Sequence, residues 1–221
     1  MSVKLPRCLL FDLDGTLLDS LPGIAYSVQA AFDAAGLGKH PFHLRQLIGP
    51  PIRTILSRAA ETNDPILLDT LEQHFRASYD SEGWRQSICF ADALEVLQAM
   101  KRNGHRLFIV TNKPRHSSTM AMEAEGIAPF FERIYTRDSI EPPYVTKADM
   151  LYALLTDQHL SPQDCVMVGD TMEDASAAAM HKIDFIFMEH GYGEISSAHP
   201  VMLKLGKFSE FLPYLAMENV Q

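Results

Sequence analysis

Four consecutive apolar residues, Cys8-Leu9-Leu10-Phe11, run directly into Asp12-Leu13-Asp14-Gly15-Thr16. An apolar run of this length that ends in acids and a glycine reads as a buried strand stopping at a sharp turn. Three more stretches share the form. Arg106-Leu107-Phe108-Ile109-Val110 precedes Thr111-Asn112-Lys113-Pro114, Cys165-Val166-Met167-Val168 precedes Gly169-Asp170, and Phe185-Ile186-Phe187-Met188 precedes His190-Gly191-Tyr192-Gly193. None alternates polar with apolar, so each strand is expected to be buried on both faces, as in a parallel sheet covered by helices.

Helical patterns separate these runs. The segment from Asp92 to Asn103 has Leu94, Leu97 and Met100 or Lys101 at helical spacing and ends at Gly104, a C′ glycine. Thr146 to His159 places Met150, Leu151, Leu154 and Leu155 on one face, and Glu173 to Met180 is rich in alanine. Alternating strands and helices predict an α/β fold with a doubly wound parallel sheet. Residues 20–86 break the rhythm with three helical stretches, Pro22–Ala35, Pro50–Glu61 and Pro65–Tyr79. They read as an all-helical insertion, leaving 1–19 and 87–221 as the α/β core. A last amphipathic helix is expected over Ser209–Met217, with Pro213 inside it.

At 221 residues the chain can bury a sizeable core. A net charge of -9 argues against nucleic acid or an anionic membrane as partner, so an anionic substrate needs local cations. Cys8, Cys89 and Cys165 are too scattered for a zinc site or a disulfide framework and fit a reduced, cytoplasmic protein. The nine histidines include no HExxH pair, and His40 and His43 beside Pro41-Phe42 read as loop residues. No stretch approaches the length of a membrane span, and no long apolar signal core opens the chain.

The strand ends carry the chemistry. In open parallel sheets ligands bind beyond the carboxyl ends of the strands. Asp12 and Asp14 follow the first run, Thr111 and Asn112 the second, and Gly169, Asp170 and Asp174 the third. Two residues apart on an extended segment, Asp12 and Asp14 project to one side and repel, which raises one pKa or recruits a cation. A plain turn, or a helix cap at Asp19 or Ser20, would use the same residues. A calcium loop is excluded, because Thr16 and Leu17 stand where it needs an acid or Asn and then Gly. Thr111 and Asn112 offer uncharged donors for phosphate oxygens. Asp12, Asp14 and Asp170 offer oxygens suited to Mg²⁺, with Asp174 an inner- or outer-shell partner. Lys147 opens a helix and is either a surface lysine or the missing cation.

These residues resemble the haloacid dehalogenase superfamily, specifically its phosphoglycolate-phosphatase-like branch with a helical cap after the first strand. The four motifs appear in order as DLDGT (Asp12 to Thr16), VTNK (Val110 to Lys113), the lysine of TKADML (Lys147) and VGDTMED (Val168 to Asp174). The resemblance implies that Asp12 attacks phosphorus and that Asp14 protonates the leaving alcohol and later activates water. It implies that Thr111 and Lys147 hold the phosphoryl group, and that Asp12, the Asp14 carbonyl and Asp170 bind Mg²⁺ with Asp174 in support. Thr16, Asn112 and Lys113 join the implied binding set. Many relatives carry a Lys-Pro-x-Pro-Asp string at the third motif; here Lys147 is followed by Ala148-Asp149, which keeps Lys113 as a second candidate. Dehalogenases carry tyrosine at position 14 and phosphonate-cleaving relatives a small residue, so an acid there points to phosphate esters. Leu47 to Arg53 resembles the cap segment facing the active site, where Gly49 gives close approach and Arg53 either meets an anionic leaving group or starts a helix as an exposed side chain.

The expected function is a Mg²⁺-dependent phosphatase acting on a small phosphorylated metabolite through an aspartyl-phosphate, as a monomer or homodimer. A phosphomutase, a nucleotidase or pyrophosphatase, a receiver-like domain and a retired regulatory scaffold are the alternatives.

Overall fold

The computed structural model describes residues 4–40, 43–196 and 199–215. In chain order the elements are β1 (Cys8–Phe11), β2 (Leu18–Asp19), α1 (Leu21–Ala34), α2 (Ile52–Ala59), α3 (Pro65–Ser81), β3 (Ile88–Cys89), α4 (Ala93–Arg102), β4 (Arg106–Thr111), α5 (Arg115–Ala124) and β5 (Arg133–Thr136). They continue as α6 (Lys147–Asp157), β6 (Cys165–Gly169), α7 (Met172–Met180), β7 (Asp184–Met188), β8 (Leu203–Leu205) and α8 (Leu212–Leu215). Six strands form one parallel sheet in the order β5-β4-β1-β6-β7-β8. The apolar runs are its four central strands, as expected for segments that must be covered on both faces.

Alternation sorts their side chains. Leu9, Phe11, Leu107, Ile109, Val166 and Val168 face one way, onto α4 and α5. Cys8, Leu10, Phe108, Val110, Cys165 and Met167 face the other, onto α6 and α7. Two packed layers of helices therefore enclose a sheet with its middle strand, β1, flanked by β4 and β6. The ends of these three strands are neighbours, and the Asp12 N–H still donates to Val168 O at 2.9 Å.

Two helices start at chemically loaded positions, and their caps explain where. Thr146 and Asp149 form a reciprocal capping box at the head of α6, so Lys147 is its first residue. Thr171 and Asp174 form another at the head of α7. Helix α4 ends as expected: Gly104 has φ +80, and the His105 N–H donates to Met100 O at 3.1 Å.

The segment between β1 and α4 is helical in α1, α2 and α3, and packs around its own cluster, including Ile24, Val28, Phe32, Leu56, Leu71 and Phe75. Both crossings between this cluster and the sheet run through one antiparallel pair, Leu18 with Cys89 and Asp19 with Ile88. That pairing was not expected, because two-residue strands leave no hydrophobic pattern. Strands β5 and β8 were also missed: they are short, Arg133 opens the first and Lys204 interrupts the second, as suits charged sheet edges. The last helix is shorter than expected. A 3₁₀ turn covers Phe208–Phe211 and α8 covers only Leu212–Leu215, with Pro213 in the first turn, where it is tolerated. Ala216 and Met217, the end of the expected helix, lie outside the described residues, as do Pro41 and Phe42. Among the described residues, no helix is long and apolar enough to cross a membrane.

Phe108 is wholly buried between the sheet and α6. Phe108→Ala is expected to cost about 3–5 kcal/mol in denaturant unfolding, while Ile66→Ala, on an exposed face of α3, changes stability by less than about 0.5 kcal/mol.

Candidate active site

Lys147 is the organising group. Its side chain is 2% exposed, and its Nζ lies 2.9 Å from Asp12 Oδ1 and 2.6 Å from Asp174 Oδ1. The capping box leaves the ammonium at the first turn of α6, pointing at the end of β1. The second Asp174 oxygen accepts from Thr171 N at 3.0 Å and Thr171 Oγ1 at 2.6 Å. Asp174 thus caps α7 and holds Lys147 with one side chain. Of the two candidate lysines, Lys147 sits against Asp12, while Lys113 pairs with Asp14.

Asp170 is fully buried. Its Oδ1 accepts from Thr16 Oγ1 at 3.0 Å and its Oδ2 from the Tyr192 N–H at 2.7 Å. A Cβ at Gly15 or Gly191 would collide with this carboxylate, so both positions need glycine for close approach. Gly15 also has φ +85.

Asp12, Asp170 and Asp174 each offer one oxygen, and these lie within 4.8 Å of one another. Three buried carboxylates face one ammonium, an excess of negative charge that a divalent, oxygen-preferring cation would balance. The residues therefore fit such an ion. Burial, above all, holds the Asp12 carboxyl well above its ordinary range; Lys147 opposes this, while Asp174 and Asp170 add to it. Burial, reinforced by Asp174, pushes Asp170 up to about 6, against the hydrogen bonds from Tyr192 and Thr16. Burial alone would lower Lys147, but Asp12 and Asp174 outweigh it and keep the ammonium charged.

The Asp14 side chain lies outside this cluster, contrary to its expected place among the metal carboxylates. Lys113 Nζ donates to Asp14 Oδ1 at 2.9 Å and to the Tyr79 hydroxyl of α3. Thr111 is buried at the end of β4, and its Oγ1 accepts from the Lys113 N–H at 3.2 Å. Thr111, Asn112, Lys113, Asp12 and Asp14 all line one cavity of about 440 Å³, closed on its far side by α1, α2 and α3.

Gly49 and Arg53 line the same cavity, with different roles in the packing. Gly49, at φ +126, approaches Thr171 so closely that a Cβ would touch its methyl, and its carbonyl accepts from Asn112 Nδ2 at 3.0 Å. Asn112 also donates to Glu173 Oε2 at 3.0 Å, so it ties the helical segment to the core. Arg53 is already paired, 2.6 Å from Asp69 Oδ1 and 3.3 Å from Glu72 Oε2. Thr16 does not line the cavity; it is fully buried and serves Asp170.

Sequence reasoning missed Tyr79, Arg137 and Tyr192. Arg137 lines the cavity just past β5, a strand that left no pattern. Tyr192 could have been found, since it follows the fourth apolar run by the same strand-end rule. Its hydroxyl accepts from Ser20 N at 2.7 Å and Leu21 N at 3.0 Å and donates to Asp19 Oδ1 at 2.8 Å. It therefore caps α1 together with Asp19, whose Oδ1 accepts from the Leu21 N–H at 3.3 Å as expected; the Ser20 side chain makes no capping bond.

A family model described as haloacid dehalogenase-like hydrolase matches residues 9–188. A tyrosine-protein kinase PtkA from Mycobacterium tuberculosis is 30% identical over 85% of this chain, and the chain spans 64% of that relative's length. A phosphoglycolate phosphatase from Vibrio vulnificus is 31% identical, covering 88% of this chain and 90% of its own. A haloacid dehalogenase-like hydrolase from Streptococcus pneumoniae, of known structure, superposes with a TM-score of 0.85 at 25% identity, covering 96% of this chain and 99% of its own.

Removing Lys147 strands the buried Asp12 and Asp174 charges. Lys147→Ala is expected to lose about 3–5 kcal/mol in urea unfolding at neutral pH. A loss under about 1 kcal/mol would show that the ion pairs are not formed.

Proposed function

The chain belongs to the haloacid dehalogenase-like hydrolase family, and on that premise we propose that it is a Mg²⁺-dependent phosphomonoesterase acting on a small phosphorylated metabolite. The observation that carries the reading is the Lys147 ammonium held between Asp174 and Asp12, the latter lining the cavity.

In this reading an Asp12 oxygen attacks phosphorus, forming an aspartyl-phosphate as the ester P–O bond breaks. The leaving oxygen takes the proton of Asp14, which stands at the cavity side of the turn with its Oδ1 oriented by Lys113. Asp14, now a carboxylate, takes a proton from water. The resulting hydroxide attacks phosphorus, the bond to Asp12 breaks, and inorganic phosphate leaves with Asp14 protonated again. Lys147 and Thr111 bind the phosphoryl oxygens, and Lys147 also keeps Asp12 in place. Asp12 and Asp170, with the Asp14 carbonyl, would hold Mg²⁺, which would neutralise charge on the transferring group. Asp174, which holds Lys147 with one oxygen and caps α7 with the other, would support the ion from the inner or outer shell.

Asp12→Asn is expected to lower phosphate release by about a thousandfold or more while unfolding like the wild type. Residual activity within tenfold of wild type would contradict the assignment. Release of free phosphate from simple monoesters, without a bisphosphate, separates this enzyme from a mutase. Transfer from ATP to a tyrosine peptide without free phosphate would instead favour a kinase.

Mg²⁺ added to cation-free protein is expected to raise Tm, by the equivalent of about 2–3 kcal/mol at saturating concentration. Asp170→Asn should abolish the rise. A shift of equal size in that variant would place the ion elsewhere.

A further inference from the structure

The cavity over Asp12 and Asp14, at about 440 Å³, falls in the range of clefts that enclose drug-sized ligands. It is not a cleft waiting to shut. Asn112 bonds Gly49, and Lys113 bonds Tyr79, so helices and core already touch across it. Its wall on the helical side carries an apolar stretch, Ile24, Ile48, Ile52, Ile55 and Phe75, beside the charged Arg53, Glu72, Arg76 and Asp80. Phe75 and Tyr79, one turn apart on α3, are stacked with ring centroids 5.2 Å apart and planes 11° apart. The stack leads from this wall to the Tyr79 hydroxyl, then to Lys113 and to Asp14. An aromatic wall thus stands beside the carboxylate that serves the leaving group.

Among the described residues, the two arginines that line the cavity from the helical side are both in ion pairs. Arg53 and Arg76 share Glu72, and Arg53 also holds Asp69. A leaving group carrying a carboxylate would find these guanidiniums neutralised, and a two-carbon acid would leave the apolar stretch uncovered. Arg137, from the core side, lines the cavity with no ion pair among the described residues, which makes phosphoglycolate the competing substrate to test.

Resting on the phosphomonoesterase reading, we infer that the preferred substrate is the phosphate monoester of an alcohol bearing a planar ring, packed against Phe75 and Tyr79. Burial of the ring removes apolar surface from water on both partners, and ring-on-ring contact adds to it.

The test compares kcat/KM for benzyl phosphate, ethyl phosphate and 2-phosphoglycolate, with Mg²⁺ present and free phosphate as readout. Benzyl and ethyl alcohol are similar leaving groups, so their difference reports the ring. Benzyl phosphate is expected to exceed ethyl phosphate by about tenfold and to exceed phosphoglycolate. Phe75→Ala should shrink the benzyl-to-ethyl ratio through KM. Ile52→Trp, which fills the cavity from a half-buried position, should shrink it likewise, so the result does not depend on Phe75→Ala folding. A ratio near one, an unchanged ratio in folded Ile52→Trp, or phosphoglycolate as best substrate would overturn the inference and leave the phosphatase reading standing. Absence of phosphate release from every ester would overturn both.

Discussion

The structure depends on one buried ammonium. Lys147 sits where three strand ends meet, and without it Asp12 and Asp174 would be uncompensated charges in the interior. Each part of the fold contributes to that point. The parallel sheet brings Asp12 and Asp170 side by side at the ends of β1 and β6. The capping boxes set the first turns of α6 and α7, and so the aim of Lys147 and Asp174. Covering helices keep water away, which strengthens each charge interaction. The cluster keeps an excess of negative charge, and that excess suits both a divalent cation and a phosphoryl group carried with it.

A second set of contacts joins this centre to the helical segment. The Tyr192 backbone holds Asp170, while its hydroxyl caps α1 beside the crossing strand β2. Arg45, from the helical segment, donates to Gly191 O at 2.6 Å and His190 O at 3.0 Å in the same loop. Lys113 links Asp14 to Tyr79, and Asn112 links the end of β4 to Gly49. The residues that hold Asp14 and Asp170 are thus bonded directly to the helical segment that lines the cavity, so both belong to one hydrogen-bonded assembly.

Much of this was legible in the sequence for a physical reason. Strands buried on both faces must be continuous apolar runs, so β1, β4, β6 and β7 announced themselves, and polar residues straight after them marked the site. Lys147 was visible only through its motif, because position alone does not separate a buried lysine from a solvated one. Edge strands β5 and β8 carry charges and left no such run. Arg53 looked free in sequence because its partners, Asp69 and Glu72, come from the next helix. Thr16 looked like a ligand for substrate, but its hydroxyl is committed to Asp170. Tertiary pairing of this kind has no local signature.

The central claim is that Asp12 carries the phosphoryl group covalently. It is tested most directly by acid-quenching the Asp14→Asn variant during turnover of a radiolabelled aryl phosphate. The phenoxide leaves without a proton, so the first step proceeds, while loss of the Asp14 carboxylate slows hydrolysis. The account predicts acid-stable label on the peptide containing Asp12. Turnover with no label there, or with label on another residue, would contradict it.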